Sequence, residues 1–518
     1  MHARFGLAAG LFVSIVVCGA PAAAEGARAA PSRPEPPPHG GAAHEPVLRL
    51  ELGSGWVAVP LLLAGTVEAV GSFPVDRYGT RLPQTTTLGP LVRAGLAADS
   101  GRELAPFGAA GEVEADVVSG WSASPEGPPA RDLPPRPREV DQLTLRRAHA
   151  RVSFGPYVHL GGGFMVNHWG LGLVGNDGAH GWAPGSAQFV DPRGGDRVLR
   201  GYVATGPVGG LGLGGLVGLD RVEGDDNLLP GDEAHQLVGA ILAGQGKPHG
   251  GGVFAALRRQ ETRDGRELEV MLLDATARGR LELSPALALE LATELAWVSG
   301  TTTFVPTPDH PEQDVQQLGG VMRGTLAGRD GGGVLDLVYA GGDRNLDDDT
   351  QHGFRADPSF ATGLLLYRWV MAAQSARTPV NAGDPALVGL PATGLERTTT
   401  RGAVTNTIAV FPRGYYRPVP ELELYGGPLF AWSAVPLTEP FNTRLAGGEP
   451  RNALAGEPGR YLGTELDLGA RARVAPAGVE LTLGVEGGLL LPGAAFEDAT
   501  GEPPPPVAGG RVMLEVRP

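Results

Sequence analysis

Cysteine is nearly missing from this 518-residue chain. The single one, Cys18, lies in the N-terminal leader. The rest of the chain can therefore form no disulfide and no thiolate metal site. Val17 before Cys18 is not the small residue that precedes a lipid-modified cysteine, so Cys18 is read as part of an export signal. Lysine is equally scarce: Lys247 stands alone and arginine carries the remaining basic charge, which we attribute to a GC-rich coding bias. The net charge is −15. With no basic stripe to neutralise phosphates, nucleic acid is excluded as a partner.

Long uncharged apolar runs are also lacking. The run Trp56 to Val70 falls short of the roughly 20 residues a membrane helix needs. Hydrophobic content, 42%, is too low for a polytopic helical protein. Catalytic signatures are absent: there is no His-Glu-x-x-His, no Gly-x-Ser-x-Gly and no Gly-x-x-x-x-Gly-Lys. A hydrolase would have to rest on His168 beside Asn167 with Ser153 or Ser186, and nothing in the sequence brings these together. No enzyme is expected.

What is abundant is glycine (81) and proline (47), a composition of turns rather than long helices. Residues 1–24 read as a secretory signal: a basic start at Arg4, an apolar run from Phe5 to Val17, and Ala22-Ala23-Ala24 for cleavage. Residues 25–55 are rich in Pro and Ala and read as a periplasmic leader. Residues 56–518 are expected to form one transmembrane antiparallel β-barrel.

The stretch Tyr461 to Leu491 shows why. Glu465, Asp467, Gly469, Arg471 and Arg473 alternate with Leu466, Leu468, Ala470, Ala472 and Val474. After Ala475-Pro476-Ala477-Gly478, the residues Val479, Leu481, Leu483 and Val485 alternate with Glu480, Thr482, Gly484 and Glu486. Period-two patterning gives one apolar and one charged face. Recurring along an exported chain, it indicates an all-β barrel with lipid outside and a wet lumen inside. A soluble β-protein with that face covered by another sheet is the alternative.

Eighteen strands, within a range of sixteen to eighteen, are expected, near 57–71, 89–98, 110–122, 141–154, 157–167, 196–205, 210–220, 235–246, 250–261, 266–280, 286–299, 314–328, 332–341, 401–411, 419–432, 461–474, 479–491 and 508–518. Short connections such as Ser284-Pro285, Arg329 to Gly331 and Pro412 to Pro418 alternate with long ones at 123–140, 168–195, 221–234, 300–313, 342–400 and 433–460. Short periplasmic turns opposite long external loops are the pattern of outer-membrane barrels. Arg263-Asp264-Gly265 is short where a long loop is due. Ala361 to Ala376 is apolar without alternation and would break the strand parity. It is assigned to the 342–400 loop as a helix folded over or into the lumen, with a plain buried strand as the other reading. Aromatics, 6%, are few for two aromatic girdles.

The inward face supplies the candidate pore lining: Arg147, His149, Arg151, Glu290, Glu294, Asp336, Glu421, Glu423, Glu465, Asp467, Arg471, Arg473, Glu480 and Glu486, with Arg511 and Glu515 on the last strand. These would set selectivity in a polar channel or brace neighbouring strands. Alternate oxygen ligands Asp343, Asn345, Asp347 and Asp349 look like the start of a calcium loop, although Asp348 and Phe354 stand where its Gly and Glu belong. A solvated acidic loop is the other reading. Asp225, Asp226, Asp232 and Glu233 form a second acidic loop.

Val166-Asn167-His168-Trp169-Gly170-Leu171-Gly172, Gly341-Gly342-Asp343 through Phe354 with Asp357-Pro358, and Asn406 to Tyr416 resemble alginate-export-type outer-membrane β-barrels. The resemblance spans Asp141 to Pro518 loosely. It implies an eighteen-strand barrel that passes an anionic polysaccharide through an arginine-lined pore, with Arg147, Arg151, Arg471 and Arg473 as counterparts by facing. The chain departs from it in carrying at least as many lumen acids as arginines, and in ending Glu515-Val516-Arg517-Pro518 without the terminal aromatic read by the insertion machinery. The expectation is thus an outer-membrane conduit for small polar or anionic solutes or exported polysaccharide, in contact with lipid and needing no cofactor beyond calcium. A plugged structural barrel is the alternative.

Overall fold

The computed structural model describes residues 48–101, 107–121, 143–155, 157–178, 182–191, 193–387 and 393–517. The expected export signal, Cys18, most of the leader and the 123–140 loop lie outside them.

Eighteen strands close into one antiparallel barrel. They are β1 (Leu61–Val70), β2 (Thr85–Asp99), β3 (Phe107–Val118), β4 (Thr144–Phe154), β5 (Val158–Val166), β6 (Arg197–Val208), β7 (Leu213–Gly224), β8 (Glu233–Ala243) and β9 (Gly250–Glu261). The circuit continues with β10 (Glu267–Ser284), β11 (Leu287–Thr302), β12 (Gln313–Gly328), β13 (Gly331–Ala340), β14 (Thr407–Val419), β15 (Leu422–Trp432), β16 (Tyr461–Val474), β17 (Glu480–Pro492) and β18 (Val507–Arg517). Each pairs with the next, and β18 returns to β1 in the register Arg511↔Glu68 and Val516↔Leu63. Closure leaves the barrel itself with no unpaired edge.

Alternation decides which way each side chain faces. Leu466 and Leu468 are exposed on the outside, while Glu465, Asp467 and Arg471 are buried inside. The same holds for Leu483 and Val485 against Glu486, and for Val512 and Leu514 against Arg511. The outer wall is a belt of exposed Leu, Val and Ile. Sparse aromatics mark its two rims: Phe107, Phe154, Tyr157 and Tyr416 towards the short turns, and Trp297, Tyr339, Trp432 and Tyr461 towards the long loops. Two girdles are therefore present despite the low aromatic content.

Each expected strand has a counterpart. The largest error is at 401–411: the strand is Thr407–Val419, and the turn falls at 420–421. The sequence places Pro412 to Pro418 in a short connection. The β14–β15 ladder is interrupted between Val410↔Phe430 and Gly414↔Gly426, and Pro412 and Pro428 sit in that gap, where no ladder N–H is needed. At the end of the expected leader, Arg49–Leu52 pairs with Gly55–Ala58 as a small hairpin that extends the wall beside Ala97–Asp99.

Two long loops fold into the barrel. The 167–196 loop crosses the lumen. The 341–406 loop enters with a π-helical turn, Leu366–Met371, that runs into α1 (Ala372–Ala382). The expected helix at Ala361 to Ala376 is this element, shifted towards the C-terminus. Leu364, Leu365, Leu366, Tyr367, Trp369, Val370 and Met371 join Phe189, Phe411, Leu429, Leu462, Leu490 and Val507 in one buried cluster inside the barrel.

Candidate functional site

Most of the expected pore-lining residues fall into two groups. Arg147, His149, Arg151 and Glu290 line a large cavity of the lumen, about 4280 Å³ in volume. Glu294, Asp336, Glu423, Glu465, Asp467, Arg471 and Glu486 also point inward but are buried beneath the loops that fill the other half. Arg473 pairs with Glu480 near the short turns, away from the cavity wall. Glu421 does not face the lumen. The turn falls on it, leaving it exposed, and its carbonyl accepts from the Arg473 N–H at 2.7 Å.

Beneath the inserted loops, single carboxylates hold whole segments. Glu465 accepts from the backbone N–H groups of Leu364 (2.5 Å), Leu365 (2.8 Å) and Leu366 (2.8 Å), which open the inserted helical segment. Charge-assisted bonds of this kind satisfy donors that a helix start leaves unpaired. Glu294 does the same for the crossing loop, accepting from Leu171 and from Leu173 (3.1 Å). In both places the neighbouring residue is a glycine at positive φ: Gly363 (+73°) and Gly170 (+56°). A Cβ there would stand 3.0 Å from Glu465 Oε1 or 2.5 Å from Glu294 Oε2. Glycine thus provides both the left-handed turn and the room for the carboxylate.

The loops are pinned further by Trp369 Nε1 donating to Glu68 (3.0 Å), Arg413 to the Ala187 carbonyl (3.1 Å), Arg511 to the Val190 carbonyl (3.1 Å) and the Gly185 N–H to Glu423 (2.8 Å). Arg368 pairs with Asp191 at 2.9 Å and so joins the two loops. The strands are braced beneath them. Glu486 receives Arg471 and Arg511, each at 2.6 Å, and Asp336 receives Arg323 through both oxygens (2.7 and 2.8 Å) together with Arg413.

The open half is walled by β3 to β12. Its cavity is lined at the short-turn end by Ser54, Pro207, Lys247 and Arg329, and at the long-loop end by Asp343, Arg344, Phe441 and Arg444. One cavity therefore touches both mouths. Along β4, Arg147, His149 and Arg151 form a basic row. Arg147 meets Glu112 at 2.9 Å, and Arg151 Nε has no hydrogen-bond partner among the described residues.

Near the long-loop end the wall turns acidic with Asp196, Asp225, Asp226 and Asp357. Burial pushes the Asp226 carboxyl up to about 6, against the pull of Arg355 and Arg401. Burial holds Asp196 and Asp357 far above the usual carboxylate range, helped by the charge of Asp357 on Asp196 and of Asp226 on Asp357. For Asp225, burial is outweighed by the contacting Arg258, and its carboxyl is lowered. Arg355, Arg397 and Arg401 tie the 225–232 loop to the inserted segment through Asn227, Asp232 and the Asp226 carbonyl.

The acidic loop at Asp343 is occupied with its own backbone. Asp343 accepts from the Asn345 N–H (3.0 Å) and the His352 N–H (2.9 Å), Asn345 from the Asp347 N–H (3.3 Å), and Asp349 from the Thr350 hydroxyl (3.0 Å). Among the described residues no three His, Cys, Asp or Glu side chains are grouped to hold a metal ion. Ser153 is hydrogen-bonded to His159 Nδ1 at 2.8 Å, and His159 Nε2 to the Gly206 carbonyl at 2.9 Å. That chain ties one hairpin tip to the next strand. His168 is not part of it; it lies 3.8 Å from Asp177.

Inward residues that sequence reasoning missed include Glu68, Arg93, Asp116, Arg146, Arg200, Asp220, Asp274, Arg323 and Arg413. A usable signal was present: Arg323 and Asp336 stand at equal distances from their turn and pair in register, as do Arg93 with Asp116 and Arg200 with Asp220 across their strands. Arg146 carried no such signal. A bulge at Glu114/Ala115 turns it inward beside Arg147, where it donates to the carbonyls of Gly194 and Asp177, both at 2.6 Å.

No family model matches the chain, and no curated protein matches it. Among solved structures it is similar to Acinetobacter baumannii OccAB1 at 8% identity, over 89% of this chain and 96% of that one, with a TM-score of 0.48. It is similar to Pseudomonas aeruginosa OccK11 (OpdR) at 12% identity, over 89% and 95%, TM-score 0.46. The outer membrane protein OprD from Pseudomonas aeruginosa aligns at 10% identity, over 89% and 94%, TM-score 0.45. The eighteen-strand barrel stands on this chain's own pairing; the alginate-export resemblance has no matching family model.

Proposed function

We propose that this chain is a passive outer-membrane channel for small polar or anionic solutes. The observation that carries this reading is a single cavity touching both mouths of a closed barrel whose outer wall is apolar. Such a wall is stable only against lipid, since closure satisfies the backbone and leaves apolar side chains outward. The basic row on β4 supports anions as cargo, and the acidic wall near the long loops sorts solutes before they reach it. In this reading the long loops are external, the short turns periplasmic, and the barrel is inserted by the outer-membrane assembly machinery. A channel half filled by its own loops suits small solutes better than a polysaccharide. The test is single-channel recording of the refolded mature protein in a planar bilayer. Stepwise conductance with a measurable ion preference is expected. Stable insertion without conductance would favour the plugged scaffold, and a soluble monodisperse product would overturn the membrane barrel.

A further inference from the structure

The open half of the lumen has a wall that charge does not explain. On β6 to β11 the inward positions are largely apolar: Val198, Leu216, Val222 and Val238 form one cluster, with Phe254 and Leu272 packed on it. All of these but Val238 line the cavity. Arg200, set into this wall, is neutralised by both oxygens of Asp220 at 2.6 and 2.7 Å. The inward face of a water-filled barrel is ordinarily polar, because hydrating apolar surface is unfavourable. In the other half, the apolar inner surface is covered by the inserted segment. Here Val198, Leu216, Val222 and Val238 are themselves buried, and the half-buried Phe254 and Leu272 carry the apolar surface to the passage.

A cation stands at its edge. Arg151, Gly161 and Tyr202 are opposite one another on β4, β5 and β6. Neighbouring strands lie about 4.8 Å apart, so Arg151 and Tyr202 are roughly 10 Å apart along the wall. Gly161 between them has no side chain, and the Tyr202 ring lies over it: a Cβ on Gly161 would be 2.5 Å from Tyr202 Cζ. Tyr202 thus carries the apolar surface up to the basic row.

We propose that this wall binds the apolar body of an organic anion whose charged end is held at Arg151, so that the channel prefers amphipathic carboxylates over equally charged polyhydroxy acids. The proposal rests on the channel reading above and names the solute class for it.

The experiment is current block in planar bilayers bathed in KCl, titrating 4-phenylbutyrate against gluconate, which have the same charge and opposite surfaces. Phenylbutyrate is expected to half-block at a concentration about tenfold lower, the scale set by burying part of an aryl-alkyl surface. Phe254→Ser and Leu272→Ser, checked for folding by heat-modifiable gel mobility, are expected to bring the two half-blocking concentrations together. Arg151→Gln is expected to raise both. Equal block of the wild-type channel by the two anions would overturn the solute class and leave the channel intact. Absence of any KCl conductance would overturn both.

Discussion

The two halves of the lumen are built from the same kind of strand and end differently. On β14 to β18 and β1, inward carboxylates and guanidiniums are sealed under the 341–406 and 167–196 loops. Most are committed to a backbone or to a counter-charge: Glu465 to three N–H groups, Glu486 to two arginines. On β3 to β12 several inward groups face the cavity, among them Arg147, His149, Arg151 and Glu290. Arg147 and Glu112 pair while each stays about a quarter exposed. One alternating pattern therefore gives a wall cemented to a plug on one side and the wall of a passage on the other. Inward charge alone does not mark a pore. What marks it is inward charge left uncovered.

This contrast can be broken experimentally. The largest effect is expected from Glu465→Ala, which strands three buried N–H groups at about 1–3 kcal/mol each. The inserted segment should loosen, seen as new protease cleavage within 341–406 and as larger, noisier currents; unchanged cleavage and conductance would remove Glu465 from this role. Next is Glu486→Ala, which leaves Arg471 and Arg511 buried without their shared partner. About 3–5 kcal/mol should be lost. The thermal transition of the barrel should fall, while conductance, set in the other half, stays as it was.

A smaller effect sharpens the open side. The Asp226 carboxyl titrates near 6, so it gains charge as pH rises from 5 to 7. Cation preference should grow across that range, and Asp226→Asn should flatten it in reversal-potential measurements. Because this acid is raised above its unfolded value of 3.8, the protonated form favours the fold, and its contribution is lost as pH rises towards 6. The smallest effect is expected from Arg147→Gln. Its partly exposed pair with Glu112 should change stability by only about 0–1 kcal/mol. Its readout is a modest shift of ion preference towards cations. A stability loss as large as that of Glu486→Ala would erase the distinction between the halves.

The strand order, the closed count of eighteen and the alternation of long and short connections were legible in the sequence, because period-two patterning and turn residues act over a few neighbours. Where local rules misled, the reason was a specific backbone event. Pro412 and Pro418 were accommodated within β14, and a bulge at Glu114/Ala115 turned Arg146 inward. The helix within 361–376 was legible as a segment that failed to alternate. Its docking on Glu465 was not, since the two lie about a hundred residues apart in the chain.

Sequence by itself thus determined which side chains of a regular strand face in and which face out, since that follows from the pleat of a single strand; bulged positions such as Arg146 are the exception. Only the tertiary structure decided which inward residues meet solvent. That depends on where two loops, held by single carboxylates and by a shared apolar cluster, settle inside the closed wall. Contacts between such distant segments leave no periodic trace, and so Glu465 and Arg151, alike in the pattern, are an anchor and an open cation.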